Sequence, residues 1–210
     1  MTRCVYIASS EWQVSKSAVA LGVLELFARQ VRSVGFFRPL VQSLQEDGIT
    51  TALLATDTLR HQSLEDSIGV SYEDWANDPD AAIDTIVAKY SALAERFEAI
   101  VIVGSDFDDL TYGTELDHNA LIAANLNAPV LYVCRASERS IDEVCRMAEE
   151  SIEAFEARHN TVVGIIATRA EPEISEELSS ALREVRDVPV SVLSANPVLD
   201  APSVGQHFEA

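Results

Sequence analysis

Apolar residues along this chain fall into two alternating rhythms: short continuous runs, and longer stretches spaced at helical intervals. Cys4-Val5-Tyr6-Ile7-Ala8 is continuous and of strand length. Ser17 to Arg29 instead places Val19, Ala20, Val23, Leu24, Leu26 and Phe27 at helical spacing. Ser33 to Phe37 predicts a second strand, closed by Arg38-Pro39 because proline lacks the amide a ladder needs. From residue 40 to 75 the pattern weakens. Ile49 to Leu59 reads as helical, and Val70 to Ala76 as a turn-rich passage holding Tyr72 and Trp75. Asp78-Pro79 then caps a helix that runs to Phe97. Ala99 to Val103 is a continuous strand run, and Val130 to Val133, Thr161 to Ala167 and Val190 to Leu193 follow it. Between them the spacing predicts helices over Asp117 to Leu126, Ser140 to His159 and Ser175 to Val185.

Alternating strands and helices, with strands that are apolar throughout, predict an α/β fold. Its sheet is mostly parallel and is covered by helices on both faces. The domain is expected over residues 1–195, with 196–210, which hold two prolines, as a tail or the start of a linker. A chain of 210 residues, 48% hydrophobic, has enough material for that core. No stretch approaches the roughly 18 apolar residues a membrane helix needs, and Met1 to Cys4 lacks the layout of a signal peptide, so a cytoplasmic location is expected. Cys4, Cys134 and Cys145 include no C-x-x-C pair and read as buried thiols. The net charge of -19 argues against nucleic acid or an anionic membrane as partner.

Candidate chemistry centres on Ser9 to Ser17. A strand, a loop and then Lys16-Ser17 opening a helix is the layout of a phosphate-binding loop, whose amides and helix N-terminus face an anion. The pattern G-x-x-x-x-G-K-[ST] has serine at both glycine positions here, Ser10 and Ser15. A non-glycine residue in a left-handed conformation costs about 1–2 kcal/mol, and Trp12 and Gln13 add bulk to a loop that must wrap a small anion. Ligands of such sheets sit at the C-terminal ends of the strands. That rule gathers the loop, Arg38-Pro39, Ser105 to Asp109 and Thr168-Arg169 around one crevice.

These places, taken in order, carry a family resemblance. Tyr6 to Glu11, Ser15-Lys16-Ser17, Val34 to Pro39, Val101 to Asp106, Thr114 to Asp117 and Ala124 to Val130 resemble the N-terminal domain of long-form bacterial phosphate acetyltransferases. That domain is itself similar to dethiobiotin synthetase, a P-loop NTPase with a three-layer sandwich. The resemblance implies a regulatory or assembly domain, expected as a homo-oligomer and followed in its parent by the acetyltransferase domain. It places Ser10, Ser15, Lys16, Ser17, Arg38 and Thr168 around a degenerate crevice for a nucleotide or anionic effector. The synthetase's magnesium-binding glutamate is Val103 here, with Asp106, Asp108 and Asp109 just beyond as substitutes and Asp106 the candidate metal ligand, and its base-binding asparagine is replaced at Thr168. No catalytic residue is expected in this chain. An active ligase of the dethiobiotin synthetase type and a pure oligomerisation module are the alternative readings.

Overall fold

The computed structural model describes residues 3–11, 14–105 and 112–195, with the side chains of 112–114 left aside. Seven strands lie in the order β3-β2-β4-β1-β5-β6-β7, and every pairing is parallel. They are β1 (Arg3–Ala8), β2 (Val34–Val41), β3 (Ile68–Ser71), β4 (Ala99–Val103), β5 (Val130–Arg135), β6 (Val162–Ala170) and β7 (Val190–Ser194). The helices are α1 (Lys16–Ala28), α2 (Gly48–Leu54), α3 (Leu64–Ser67), α4 (Tyr72–Asn77), α5 (Pro79–Arg96), α6 (Tyr112–Asn125), α7 (Ile141–Ala157) and α8 (Ser175–Val185).

Continuous apolar strands follow from burial on both faces. Alternate residues of β1 enter different cores: Val5 and Ile7 pack under α1 with Leu24, Phe36, Val101 and Val103. Tyr6 and Ala8 join Phe37, Ile86, Ile102, Tyr132 and Phe155 on the opposite side. The predicted cap at the start of α5 is present, and α7 carries a cap that the sequence reading did not name. Asp78 accepts from the Ala81 amide at 3.1 Å with Pro79 opening α5. Ser140 and Glu143 close a reciprocal capping box at the start of α7.

Three expectations change. The second strand does not stop at Arg38-Pro39 but continues to Val41, buried throughout. Its partner changes there: Val34 to Phe37 pair with β4, whereas Arg38, Leu40 and Val41 pair with β3. Pro39 therefore stands beyond the last residue paired to β4. The turn-rich passage from Val70 is instead the end of a short outer strand followed by α4. Gly69 in that strand lies so close to β2 that a Cβ there would meet the Pro39 carbonyl. The expected helix from Ile49 to Leu59 is one of two turns, ending at Leu54. The tail expected from 196 lies outside the described residues.

Helix α6 brings a proton-sensitive contact. The His118 ring packs on buried Trp75 with centroids 5.0 Å apart. Burial pushes its pKa down, against the smaller upward pull of Glu115 and Asp117. The unfolded chain therefore binds this proton first as pH falls. This share of stability is present above about pH 6.5 and lost below it. Urea titrations from about pH 7.5 to 5 are expected to show falling stability, with a flatter slope for His118→Gln. An unchanged slope in the variant would exclude His118 as the source.

Candidate functional site

Parallel pairing sends the C-terminal ends of all seven strands to one edge of the sheet, and the loop after β1 lies there. Ser15 is the N-cap of α1 and adopts φ 62°, ψ 32°, the left-handed conformation that a glycine would take without strain. Its carbonyl accepts from the Ala18 and Val19 amides at 3.0 and 3.1 Å. The turn of a phosphate loop is thus kept although its glycine is not. Ser15→Gly is expected to be neutral or stabilising by up to about 1 kcal/mol. Relief of about 1–2 kcal/mol of strain is offset by the greater freedom of the unfolded chain. A shift of the urea midpoint to lower concentration would contradict this.

The side chains of the loop point elsewhere. Lys16 is 2% exposed, and its Nζ donates to the Ser105 carbonyl just past β4, at 2.7 Å. The Ser10 hydroxyl lies 2.9 Å from the Tyr132 hydroxyl, which donates to Ser151 on α7 at 3.1 Å. Ser17 faces solvent on the first turn of α1. The Thr168 hydroxyl donates back into the loop, 3.1 Å from the Val14 carbonyl and 3.2 Å from that of Cys134. Arg38 is buried against Asp47, Nε to Oδ2 at 3.3 Å. Asp47 in turn caps α2 through the Thr50 amide. Asp106 lies outside the described residues, and Val103 is fully buried among apolar groups.

Beneath Lys16 sits a residue that the pattern reading passed over. Asn119 of α6 is fully buried. Its Oδ1 accepts from the Tyr6 hydroxyl at 2.8 Å and the Ser105 amide at 3.0 Å. Its Nδ2 donates to the carbonyls of Ser105 at 3.2 Å and Glu115 at 3.0 Å. One amide thus joins β1, the end of β4 and α6, and shares the Ser105 carbonyl with Lys16. Burial, then Glu115, push the Tyr6 phenol well above its ordinary range, with Arg38 pulling the other way, so the Tyr6 hydroxyl remains a donor. The visible signal was a polar residue on the helix stripe otherwise made by Leu116, Ala120 and Ala123.

A second unforeseen cluster fastens the other side of the loop. Glu11 forms an ion pair with Arg139 at 2.7 Å and also accepts from it at 2.8 Å and from the Arg135 amide at 3.2 Å. Burial, with a smaller push from Glu11, raises the neighbouring Cys134 thiol to about 12, so it is an inert core group.

A nucleotide with Mg²⁺ makes definite demands: a lysine facing the phosphates, a hydroxyl and a carboxylate for the metal, and a polar group for the base. Among the described residues these demands are not met. Lys16 donates to backbone, the Val103 side chain carries no oxygen, and the Thr168 hydroxyl is engaged with the loop itself. The acidic stretch that follows Ser105 lies outside the described residues. Among the described residues no three His, Cys, Asp or Glu side chains gather as a metal site, and no helix is long and apolar enough to cross a membrane.

The family model described as "AAA domain" matches residues 3–203. The phosphate acetyltransferase of Synechocystis sp. (strain ATCC 27184 / PCC 6803 / Kazusa) is 29% identical over 191 residues, covering 88% of this chain and 27% of its own length. That of Nitratidesulfovibrio vulgaris is 29% identical over 219 residues, covering 97% and 31%. The chain therefore spans less than a third of either curated relative. A ParA family ATPase from Chlorobium tepidum TLS superposes with a TM-score of 0.58 at 13% identity, over 94% of this chain and 87% of that one. That likeness is one of fold, the α/β fold of P-loop NTPases.

Proposed function

The chain belongs to this AAA domain family, and from that premise we propose that it is the N-terminal domain of a long-form phosphate acetyltransferase. Its role is regulation and assembly rather than catalysis. The parent exchanges acetyl between coenzyme A and phosphate in a downstream domain, and the parent assembles as a homo-oligomer in the cytoplasm. The observation that carries this reading is the state of Lys16. The residue that would meet a nucleotide phosphate is buried and donates to the Ser105 carbonyl, while the curated relatives it resembles are phosphate acetyltransferases.

In this reading Ser10, Ser15, Lys16, Ser17, Arg38 and Thr168 are remnants of a nucleotide crevice, of which Ser10, Lys16 and Thr168 now tie the loop after β1 to β5, to the residue past β4 and to β6. The purified chain is expected neither to hydrolyse ATP nor to form acetyl phosphate from acetyl-CoA and phosphate. ATP turnover at enzymatic rates, lost in Lys16→Met, would replace this reading with an ATP-dependent ligase. Acetyl phosphate formation by the chain alone would overturn the division of labour between domains.

A further inference from the structure

At the edge of the sheet opposite the phosphate loop, a cavity of about 340 Å³ opens between the turn after α1, the start of β2 and the segment before α3. Arg32, Val34, Asp57, Leu59, Arg60 and His61 are among its walls. In a chain with 15 basic residues against 34 acidic ones, two arginines and a histidine thus share one small opening. Asp57 is the acid on the same rim, and Glu98 stands near it, accepting from the Arg32 amide at 3.1 Å. Among the described residues neither carboxylate forms an ion pair with Arg32 or Arg60. Arg60 instead donates from Nε to the Nε2 of His61 at 3.1 Å, which leaves both terminal nitrogens of its fork to another acceptor. The floor carries a donor too. The Ser33 carbonyl accepts from the Glu98 and Ala99 amides, so odd-numbered residues at this end of the strand face β4. Phe36 faces away: its amide donates to Gln62 Oε1 at 2.9 Å, and its carbonyl accepts from Gln62 Nε2 at 2.5 Å. Val34, two residues earlier, faces away as well, short of β3, whose pairing begins at Arg38. Its amide is a buried donor turned to the cavity, with no partner among the described residues, and such a group calls for an acceptor.

We propose that this cavity binds a small organic anion, its acid group held by Arg32, Arg60 and the Val34 amide and its carbon body laid on Leu59 and Phe97. The walls decide between an organic and an inorganic guest. A bare ion would leave the apolar surface of Leu59 and Phe97 without contact, whereas the cavity's size falls within the range of about 300–1,000 Å³ usual for small-molecule sites. The cationic rim supplies the charge complement in a chain whose net charge is -19. One local effect works against an anion: the C-terminal end of α1 lies beside the cavity and carries partial negative charge. The Phe27 carbonyl there is already taken by the Gln30 and Val31 amides, at 2.8 and 2.9 Å, which leaves less of that charge exposed.

The inference goes beyond the proposed function and does not rest on it, so neither ATP hydrolysis nor acetyl phosphate formation bears on it. Calorimetric titration of the 210-residue chain with butyl phosphate, butyrate and butanol, at ionic strength matched with chloride, tests it. Saturable binding of an anion is expected, with butanol weaker by about tenfold or more. Tighter binding of butyl phosphate identifies a phosphate ester as the guest, tighter binding of butyrate a carboxylate, and equal binding a site for either. Arg32→Gln and Arg60→Gln should each weaken the anion by about tenfold or more. Arg60→Lys should weaken it less than Arg60→Gln, because charge stays while the fork is lost. Asp57→Asn should tighten it by removing a like charge from the rim, and Arg183→Gln, on α8, should leave it unchanged. The Val34 amide resonance should move as the anion saturates. No saturation at tens of millimolar, or butanol binding as well as the anions, overturns the inference. Binding lost in Lys16→Met would move the anion to the phosphate loop and overturn it too. So would unchanged affinity in folded Arg32→Gln and Arg60→Gln, with stability alone reduced, since the arginines would then serve only the end of α1.

Discussion

Asn119→Ala is expected to lower the free energy of unfolding by at least about 3 kcal/mol. Four hydrogen bonds meet at this amide, and none of the groups it serves has water to turn to. Removing it leaves the Tyr6 hydroxyl and the Ser105 amide as buried donors with no acceptor, at about 1–3 kcal/mol each. Tyr6→Phe should cost less, about 1 kcal/mol, because it removes one donor and leaves Asn119 three bonds. Combined with Asn119→Ala it should recover part of the loss, since one orphaned donor is gone. Urea unfolding of the three variants provides the cycle. Strict additivity would show that Tyr6 and Asn119 do not act through their shared bond.

Leu24→Ala is expected to cost about 2–5 kcal/mol, as deletion of a fully buried leucine does. Leu24 is 0% exposed and, with Val19 and Ala20, forms the inner stripe by which α1 grips the sheet. The outer side of the helix is apolar too, with Leu21 and Leu26 40% and 55% exposed. Val23 and Phe27, half-buried, flank the inner stripe against the same core, so Leu24 stands at the centre of the attachment. Because α1 begins at Lys16, loosening it should also release the Lys16–Ser105 bond. Faster hydrogen exchange at the Val19 and Ala20 amides, ahead of global unfolding, is the matching observation. A cost well under 1 kcal/mol would mean that the helix repacks on its outer leucines.

The elements readable in the sequence are those whose cause is local. Asp78-Pro79 and Ser140 with Glu143 place the starts of α5 and α7 because a cap is satisfied within four residues. The continuous run Ala99 to Val103 marks a central strand because burial on both faces leaves no alternation to find. The third strand escaped because Ile-Gly-Val-Ser is short and its glycine answers to the Pro39 backbone, 30 residues earlier in the chain. The strand's passage through Pro39 was hidden for the same reason, since only the change of partner from β4 to β3 allows it. At the site, the positions of Lys16 at the start of α1 and Thr168 near the end of β6 were legible from topology alone, whereas Arg38 lies inside β2 rather than at its end. Their partners were not. Glu11 and Arg139 are 128 residues apart, Tyr6 and Asn119 113 apart, and no local pattern announces a pairing at such distance.

Among the described residues, the loop after β1 is fastened at three places by the protein's own groups. Thr168 holds the Val14 carbonyl, Arg139 and the Arg135 amide hold Glu11, and Lys16 reaches Ser105. A phosphate loop that needs its nucleotide is stabilised by mass action in proportion to how much nucleotide the cell contains. A loop anchored by the protein's own groups depends less on a ligand for its stability. On the proposed function, the folded fraction of this domain should stay level when a starving cell's ATP falls.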